Sequence, residues 1–291
     1  MLTDNSDHNL DWALRANGYA AHDSADDGPP LRYHILGPVE LYHAGRWTSP
    51  PQAKCRALLA LLLVNANQVV PASVLRQQLW LGAAPRTAVK LLQHYVYQVR
   101  RALGDVDGRR LSTRQPGYQL TVGRDELDAD RFTALATAGH QALASGHVET
   151  AAGYLRRALA LWRGPAFGDI EDVPAVTAEA SRLEEFRLAA IEAWIEAELA
   201  CGNHAWLIPP IETFVAAHPL HERLRTHLML ALYRAGRQAD ALAAFHDLRR
   251  TLAEELGLEP SAEAQAMYVA ILRGDPRLRQ PGTGSALVAA G

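Results

Sequence analysis

"RTAVKLLQHYVYQVRRAL", residues 86–103, is the stretch on which the fold turns. Val89, Leu92, Val96, Val99 and Leu103 recur at spacings of three and four, which at ~3.6 residues per turn stacks them on one side of a helix. The other side carries Arg86, Lys90, Gln93, His94, Tyr97 and Arg101, with no acid among them. A surface helix normally mixes both signs of charge. An acid-free face suits a helix that lies against a polyanion.

The surrounding sequence extends this asymmetry. From Leu41 to Gly104 there is no Asp or Glu, and residues 31–123 hold twelve Arg and Lys against only Glu40, Asp105 and Asp107. Residues 1–30 hold one Arg against six Asp, so the formal net charge of -3 conceals a strongly cationic segment behind an acidic arm. A one-sign field of this kind is the electrostatic footprint of nucleic-acid binding.

The neighbouring elements frame the helix. "LRYHILGPVELYHAGRWTS" (31–49) predicts short strands around turns at Gly37-Pro38 and Ala44-Gly45. "PQAKCRALLALLLVNANQ" (51–68) is a helix too apolar for a surface, hence the centre of a small core. Pro71 opens a second helix, "PASVLRQQLW", which Gly82 to Pro85 ends. After the third helix, "GDVDGRRLSTRQPGYQLTV" predicts a hairpin turning near Arg114 to Gly117. Strands, three helices and a basic hairpin make a winged helix-turn-helix, whose third helix fits a major groove.

The expected DNA contacts follow from position. Arg86, Thr87, Lys90, Gln93 and His94 lie in the first half of the helix, where side chains reach base edges and the nearest phosphates. Arg100 and Arg101 are placed to clamp phosphate, and Arg114 to enter the adjacent minor groove or touch the backbone. Tyr97 stacks on a sugar or closes the core edge; Lys54 and Arg56 are further phosphate candidates. Trp47, Trp80 and Tyr118 read as core aromatics, and His34 and His43 as solvent-facing strand residues without metal-ligand spacing.

Residues 124–275 read as all helix. Gly146, Gly202 and Gly236 stand at helix ends, the last two 34 residues apart, the period of a tetratricopeptide repeat, with Ala151, Ala205 and Ala241 small enough for close helix contacts. The fold class is therefore mainly α with a small β component: a winged helix-turn-helix domain (31–123) followed by an all-α tetratricopeptide-like repeat domain of about six to eight helices (124–275). Residues 1–30, with a short helical "LDWALRANGYA", and residues 276–291 have the composition of a disordered arm and tail.

Composition narrows the function classes. There is no apolar run of the roughly 18 to 20 residues that span a bilayer, and "MLTDNSDHNL" is acidic where a signal peptide would be basic, so a cytoplasmic, nucleoid-associated protein without membrane partners is expected. Cys55 and Cys201 lie far apart in apolar helices, as core residues do. No phosphate loop, HExxH, paired-Cys motif or GxSxG elbow is present, so no catalytic residue, metal or cofactor is expected. Glu184, Glu185, Glu254 and Glu255 read as solvated helix pairs. The rival to a DNA-binding regulator is a repeat-built protein-interaction scaffold, which leaves the acid-free segment unexplained.

Longer motifs sharpen the choice. "ALALWRG", "HPLHERL", "ALYRAGRQADAL" and "ELGLEP" resemble the bacterial transcriptional activator domain of the Streptomyces antibiotic regulatory protein family, and the segment through "VRRALG" and "GYQL" is similar to that family's OmpR-type DNA-binding domain. The likeness runs from about residue 32 to 276. It implies a small, stand-alone, pathway-specific activator of an antibiotic biosynthetic gene cluster. Its implied partners are double-stranded promoter DNA, read as direct repeats by a homodimer, and RNA polymerase through the sigma factor or alpha subunit. Two departures stand out: Pro209-Pro210 should start or break a helix, and "RQPGYQL" has one glycine where many members have two.

Overall fold

The computed structural model describes residues 32–105 and 107–279. The acidic arm, the short helix expected within it and residues 280–291 of the tail lie outside the described residues. The chain divides into two compact units: residues 32–134 with 161–187, and residues 135–160 with 188–279. These units cut across the boundary that the sequence suggests at 123/124.

The first unit opens with an antiparallel sheet of β1 (Tyr33–His34), β2 (Glu40–His43) and β3 (Arg46–Thr48). Ala44 and Gly45 join β2 to β3, both at positive φ (52° and 81°), as a two-residue hairpin turn requires. Helix α1 (Ala53–Val64) buries Cys55 and every residue from Ala57 to Leu63, the central position its apolar sequence predicts. Helices α2 (Ala72–Trp80) and α3 (Ala88–Leu103) follow. The hairpin of β5 (Leu111–Arg114) and β6 (Gly117–Leu120) then pairs with β4 (Val70–Pro71) in the order β4-β6-β5. That third strand is too short to leave a sequence signal.

Two glycines are fixed by close approach. Gly117 lies against β4 so tightly that a Cβ there would collide with the carbonyl oxygen of Val70. Gly104 ends α3 in the left-handed conformation (φ 64°), with the ring of His43 where a Cβ would stand. His43 is exposed as expected, whereas His34 is covered, its ring stacked 3.4 Å from that of Trp47. Burial holds the His34 imidazole down to about 3, and the positive Arg163 adds to the effect. Glu40, only 3.5 Å from His34, would raise it, but that carboxylate is already committed to Arg163 at 2.6 Å.

Residues distant in sequence complete this unit. Helix α4 (Asp128–Ala144) begins in it, and the buried Asp128 carboxylate accepts hydrogen bonds from the amides of Ile35 (2.9 Å) and Leu36 (3.0 Å). Arg163 and Phe167 donate their amides to the carbonyls of Leu36 and Ile35, each at 2.8 Å, and Asp169 accepts from the Val39 amide at 2.8 Å. The turn between β1 and β2 is thus satisfied by polar groups from about 90 to 130 positions later.

The second unit is helical throughout its described residues. It holds the rest of α4, α5 (Val148–Leu159), the rest of α6 (Pro174–Ala200), α7 (His204–Ala217), α8 (Glu222–Arg234), α9 (Gln238–Leu256), α10 (Ala262–Leu272) and a 3-10 turn (Pro276–Arg279). Gly146, Gly202 and Gly236 turn between successive helices at φ of 78°, 83° and 79°, as the repeat reading predicts. Ala151 and Ala241 are fully buried at helix contacts, but Ala205 is exposed. A buried carboxylate, Glu198, ties three helices together by accepting from Arg156 (2.5 Å), Trp194 Nε1 (3.2 Å) and Asn203 (2.7 Å).

Three expectations need correction here. Helix α7 starts at His204 and runs through Pro209 and Pro210. The carbonyls that lose their i+4 donors are those of Ala205 and Trp206 in the first turn, and Ala205 is open to water. Residues 276–279, expected to be part of a disordered tail, form a 3-10 turn in which Leu278 is buried and its carbonyl accepts from Arg234 Nε at 2.8 Å. Glu184 is not simply solvated, since it accepts from the Ala166 amide at 3.1 Å.

Candidate nucleic-acid interface

Helix α3 buries Ala88, Leu92, Val96 and Val99 against the rest of the first unit. The periodicity predicts this stripe except at its two ends: Leu103 is half-buried, and at the start Val89 is 52% exposed and Ala88 takes the inner position. At ~100° per residue, Val89 and Arg100 differ by only about 20° around the helix. Arg100 meets the β5–β6 hairpin, donating from Nε to the Leu111 carbonyl (2.8 Å) and from Nη2 to Thr113 Oγ1 (3.0 Å). Three turns earlier Val89 lies beyond that cover.

The opposite face stands open. Arg86, Thr87, Lys90, Gln93, His94, Tyr97 and Arg101 are all exposed, and Tyr97, at 60%, is not a core-edge residue. Thr87 is the N-cap residue, yet its hydroxyl makes no capping bond, which leaves it available to a ligand. Arg114 is exposed at the hairpin tip, where Gln115 and Pro116 form the turn. None of the side chains of Arg86, Lys90, Arg101 or Arg114 has an ion-pair or hydrogen-bond partner among the described residues.

The acids of this unit do not neutralise that face. Asp105 is buried and its carboxylate accepts from the amides of Arg109, Arg110 and Leu111 at 2.8–3.1 Å, fixing the path from α3 into the hairpin. Glu40 pairs with Arg163, and Glu126 is held by both Arg110 nitrogens and by Arg32. Asp107 is exposed, 3.7 Å from Arg109. Arg109 is an exposed cation beside the hairpin that the sequence reading does not include.

Three expected phosphate contacts are spent inside the protein instead. Lys54 Nζ donates to the Leu79 carbonyl at 2.6 Å, closing the end of α2, where the helix dipole favours a cation. Arg56 donates to the Pro50 and Pro51 carbonyls at 3.2 Å and pairs with Asp169 at 2.8 Å. Arg100 anchors the hairpin as described. Trp80 stacks on Tyr95 and sets α2 against α3, so it is positional, like the half-buried Trp47 and Tyr118.

Comparison with known proteins agrees with this architecture. The bacterial transcriptional activator domain profile matches residues 127–272. Over 260 residues the chain is 39% identical to the regulatory protein DnrI of Streptomyces peucetius, spanning 87% of this chain and 96% of that one. The chain belongs to the Streptomyces antibiotic regulatory protein family. Another relative, the transcriptional regulatory protein MoaR1 of Mycobacterium tuberculosis, is 40% identical over 250 residues, covering 84% of this chain and 80% of its own. The solved structure of Mycobacterium tuberculosis EmbR in complex with a low affinity phosphopeptide superposes with a TM-score of 0.80 at 34% identity, over 88% of this chain and 68% of that one. As a member of the antibiotic regulatory protein family, the chain is a transcriptional activator, and its relatives are regulatory proteins. Among the described residues, no helix is long and apolar enough to cross a membrane.

Proposed function

We propose that residues 31–123 form a sequence-specific DNA-binding domain. In this reading α3 enters the major groove and residues 124–275 form the activating domain. The observation that carries it is the open, acid-free face of α3, whose cations have no partner within the described protein. Lys90, Gln93 and His94 read base edges; Arg86, Thr87 and Arg101 hold phosphates; Tyr97 stacks on the sugar-phosphate backbone; and Arg114 approaches the adjacent groove. Two copies on direct repeats, about one helical turn apart, bind the same face of the duplex as a homodimer. The helical domain then recruits RNA polymerase through its sigma factor or alpha subunit at promoters of a secondary-metabolite cluster.

Footprinting of the full chain on the promoter of a neighbouring biosynthetic operon tests this reading. Protection of two repeats on one face is expected, with affinity falling steeply as salt rises. Lys90→Ala and Gln93→Ala should cost about 1–3 kcal/mol on the specific site and change base preference, whereas random duplex should hardly respond. Equal losses on specific and random DNA would remove base reading. No binding at any salt would favour the protein-interaction scaffold.

A further inference from the structure

Val89 is the one position on α3 where the apolar periodicity points inward and the structure leaves the side chain outside. Single exposed aliphatics are common on protein surfaces and ordinarily need no account. This one stands in the first turn of α3, directly before Lys90 and one turn before Gln93, on a surface whose other exposed side chains are polar or cationic apart from the aromatic Tyr97 two turns on. Here the helix is closest to the base edges in a helix-turn-helix docking. Within a major groove the one apolar group that a base pair displays is the C5-methyl of thymine.

We propose that Val89 is a specificity-determining residue that packs its two γ-methyls on a thymine C5-methyl. This rests on the DNA-binding reading above. The fit is chemical: a β-branched side chain carries no hydrogen-bonding group and holds a single dominant χ1 rotamer in a helix, so it offers a fixed apolar surface. It discriminates thymine from cytosine, which lacks the methyl, at one base pair. The neighbouring Lys90 and Gln93 supply the polar part of the same reading. An apolar protein partner is a poorer match, because one valine among Arg86, Lys90 and His94 makes no continuous apolar patch.

Deoxyuridine differs from thymidine by that methyl alone, which makes a direct test. The full chain selects its preferred duplex from a random pool, and each thymine in the selected site is then replaced singly by deoxyuridine. For the natural chain, one replacement should weaken binding about fourfold, the worth of one methyl removed from water. Val89→Ala should be indifferent to that replacement and respond like the natural chain to all others, while Val89→Ile should restore the sensitivity. Because the side chain is exposed, both variants keep the buried stripe of α3. The same deoxyuridine profile in Val89→Ala and in the natural chain would overturn the assignment and leave the DNA-binding reading standing. Failure of the full chain to select any sequence would overturn both.

Discussion

The open face of α3 and the covered turn between β1 and β2 are built from the same kinds of side chain and put them to opposite uses. On α3 and the residues leading into it, the side chains of Arg86, Lys90 and Arg101 stand without a partner among the described residues. Around the β1–β2 turn, Asp128, Arg163 and Asp169 are consumed by backbone amides, a carbonyl and charged side chains of the same unit. The lesson concerns acceptors rather than charge. A cation is free to bind DNA only if no carbonyl or carboxylate of its own chain lies within reach, and in this unit Lys54, Arg56 and Arg100 all find one.

The largest expected effect lies on the covered side. Asp128→Ala leaves the buried amides of Ile35 and Leu36 without acceptors, each worth about 1–3 kcal/mol, offset by relief of a buried charge. A net destabilisation of about 3 kcal/mol is expected, read as faster amide exchange across residues 33–41. The second unit, with its own core around Trp194 and Leu228, should keep its protection. Unchanged exchange at Ile35 and Leu36 would break the contrast at its root.

Acidity sharpens the same contrast. Burial pushes the Asp128 carboxyl up to about 6 against its backbone hydrogen bonds, so its contribution is full below about 4 and is lost as pH rises through 6. His34, held down to about 3 by burial, acts in the opposite sense: its contribution is present above about 6.5 and is lost as pH falls toward 3. Between pH 4.5 and 6 the two slopes oppose each other, and the unit should show little net dependence. His34→Gln removes one of them, so stability should then fall by about 1.5 kcal/mol as pH rises across that window. Urea unfolding at three pH values decides it; a rise in stability instead would mean that Asp128 is not the titrating group.

How much was legible in the sequence follows from how far each interaction reaches. Helix α3, its open face, the central α1 and the glycine-marked turns are local patterns, and all are present. Val89 misled because periodicity records the direction in which a side chain points, not where the covering element stops. Arg100, Lys54 and Arg56 misled because their acceptors are main-chain or distant oxygens that no residue type announces. The Asp128 and Arg163 contacts span 92 to 127 positions, beyond any local pattern, although "ALALWRG" is among the motifs. Prolines 209 and 210 mislead because their residue type predicts a start or a break of the helix, where only two first-turn carbonyls lose their donors, at little cost.

Adjacent arginines carry the comparison onto one helix. Arg101→Ala should weaken all duplexes alike and lower the salt slope by about one, with no change in stability. Arg100→Ala should cost about 1–2 kcal/mol of stability through the lost hairpin bonds and leave the salt slope where it was. Paired salt titrations and thermal melts separate the two outcomes. Exchanged results would mean that the hairpin moves off α3 when DNA binds.

The smallest effect is also the cleanest, because the chain contains only two lysines, one on each side of the divide. Lys54 ends in the Leu79 carbonyl at 2.6 Å; Lys90 ends in solvent. Lys54→Met keeps the aliphatic stem and loses one hydrogen bond at a helix end, so about 1 kcal/mol of stability should go while sequence preference stays. Lys90→Met should do the reverse. Limited amine acylation offers an independent reading: Lys90 should modify first and bound duplex should protect it, while Lys54 should react only as the unit opens. Equal reactivity of the two amines would show that the Leu79 contact does not hold Lys54 in solution, and the distinction between spent and free cations would lose its simplest case.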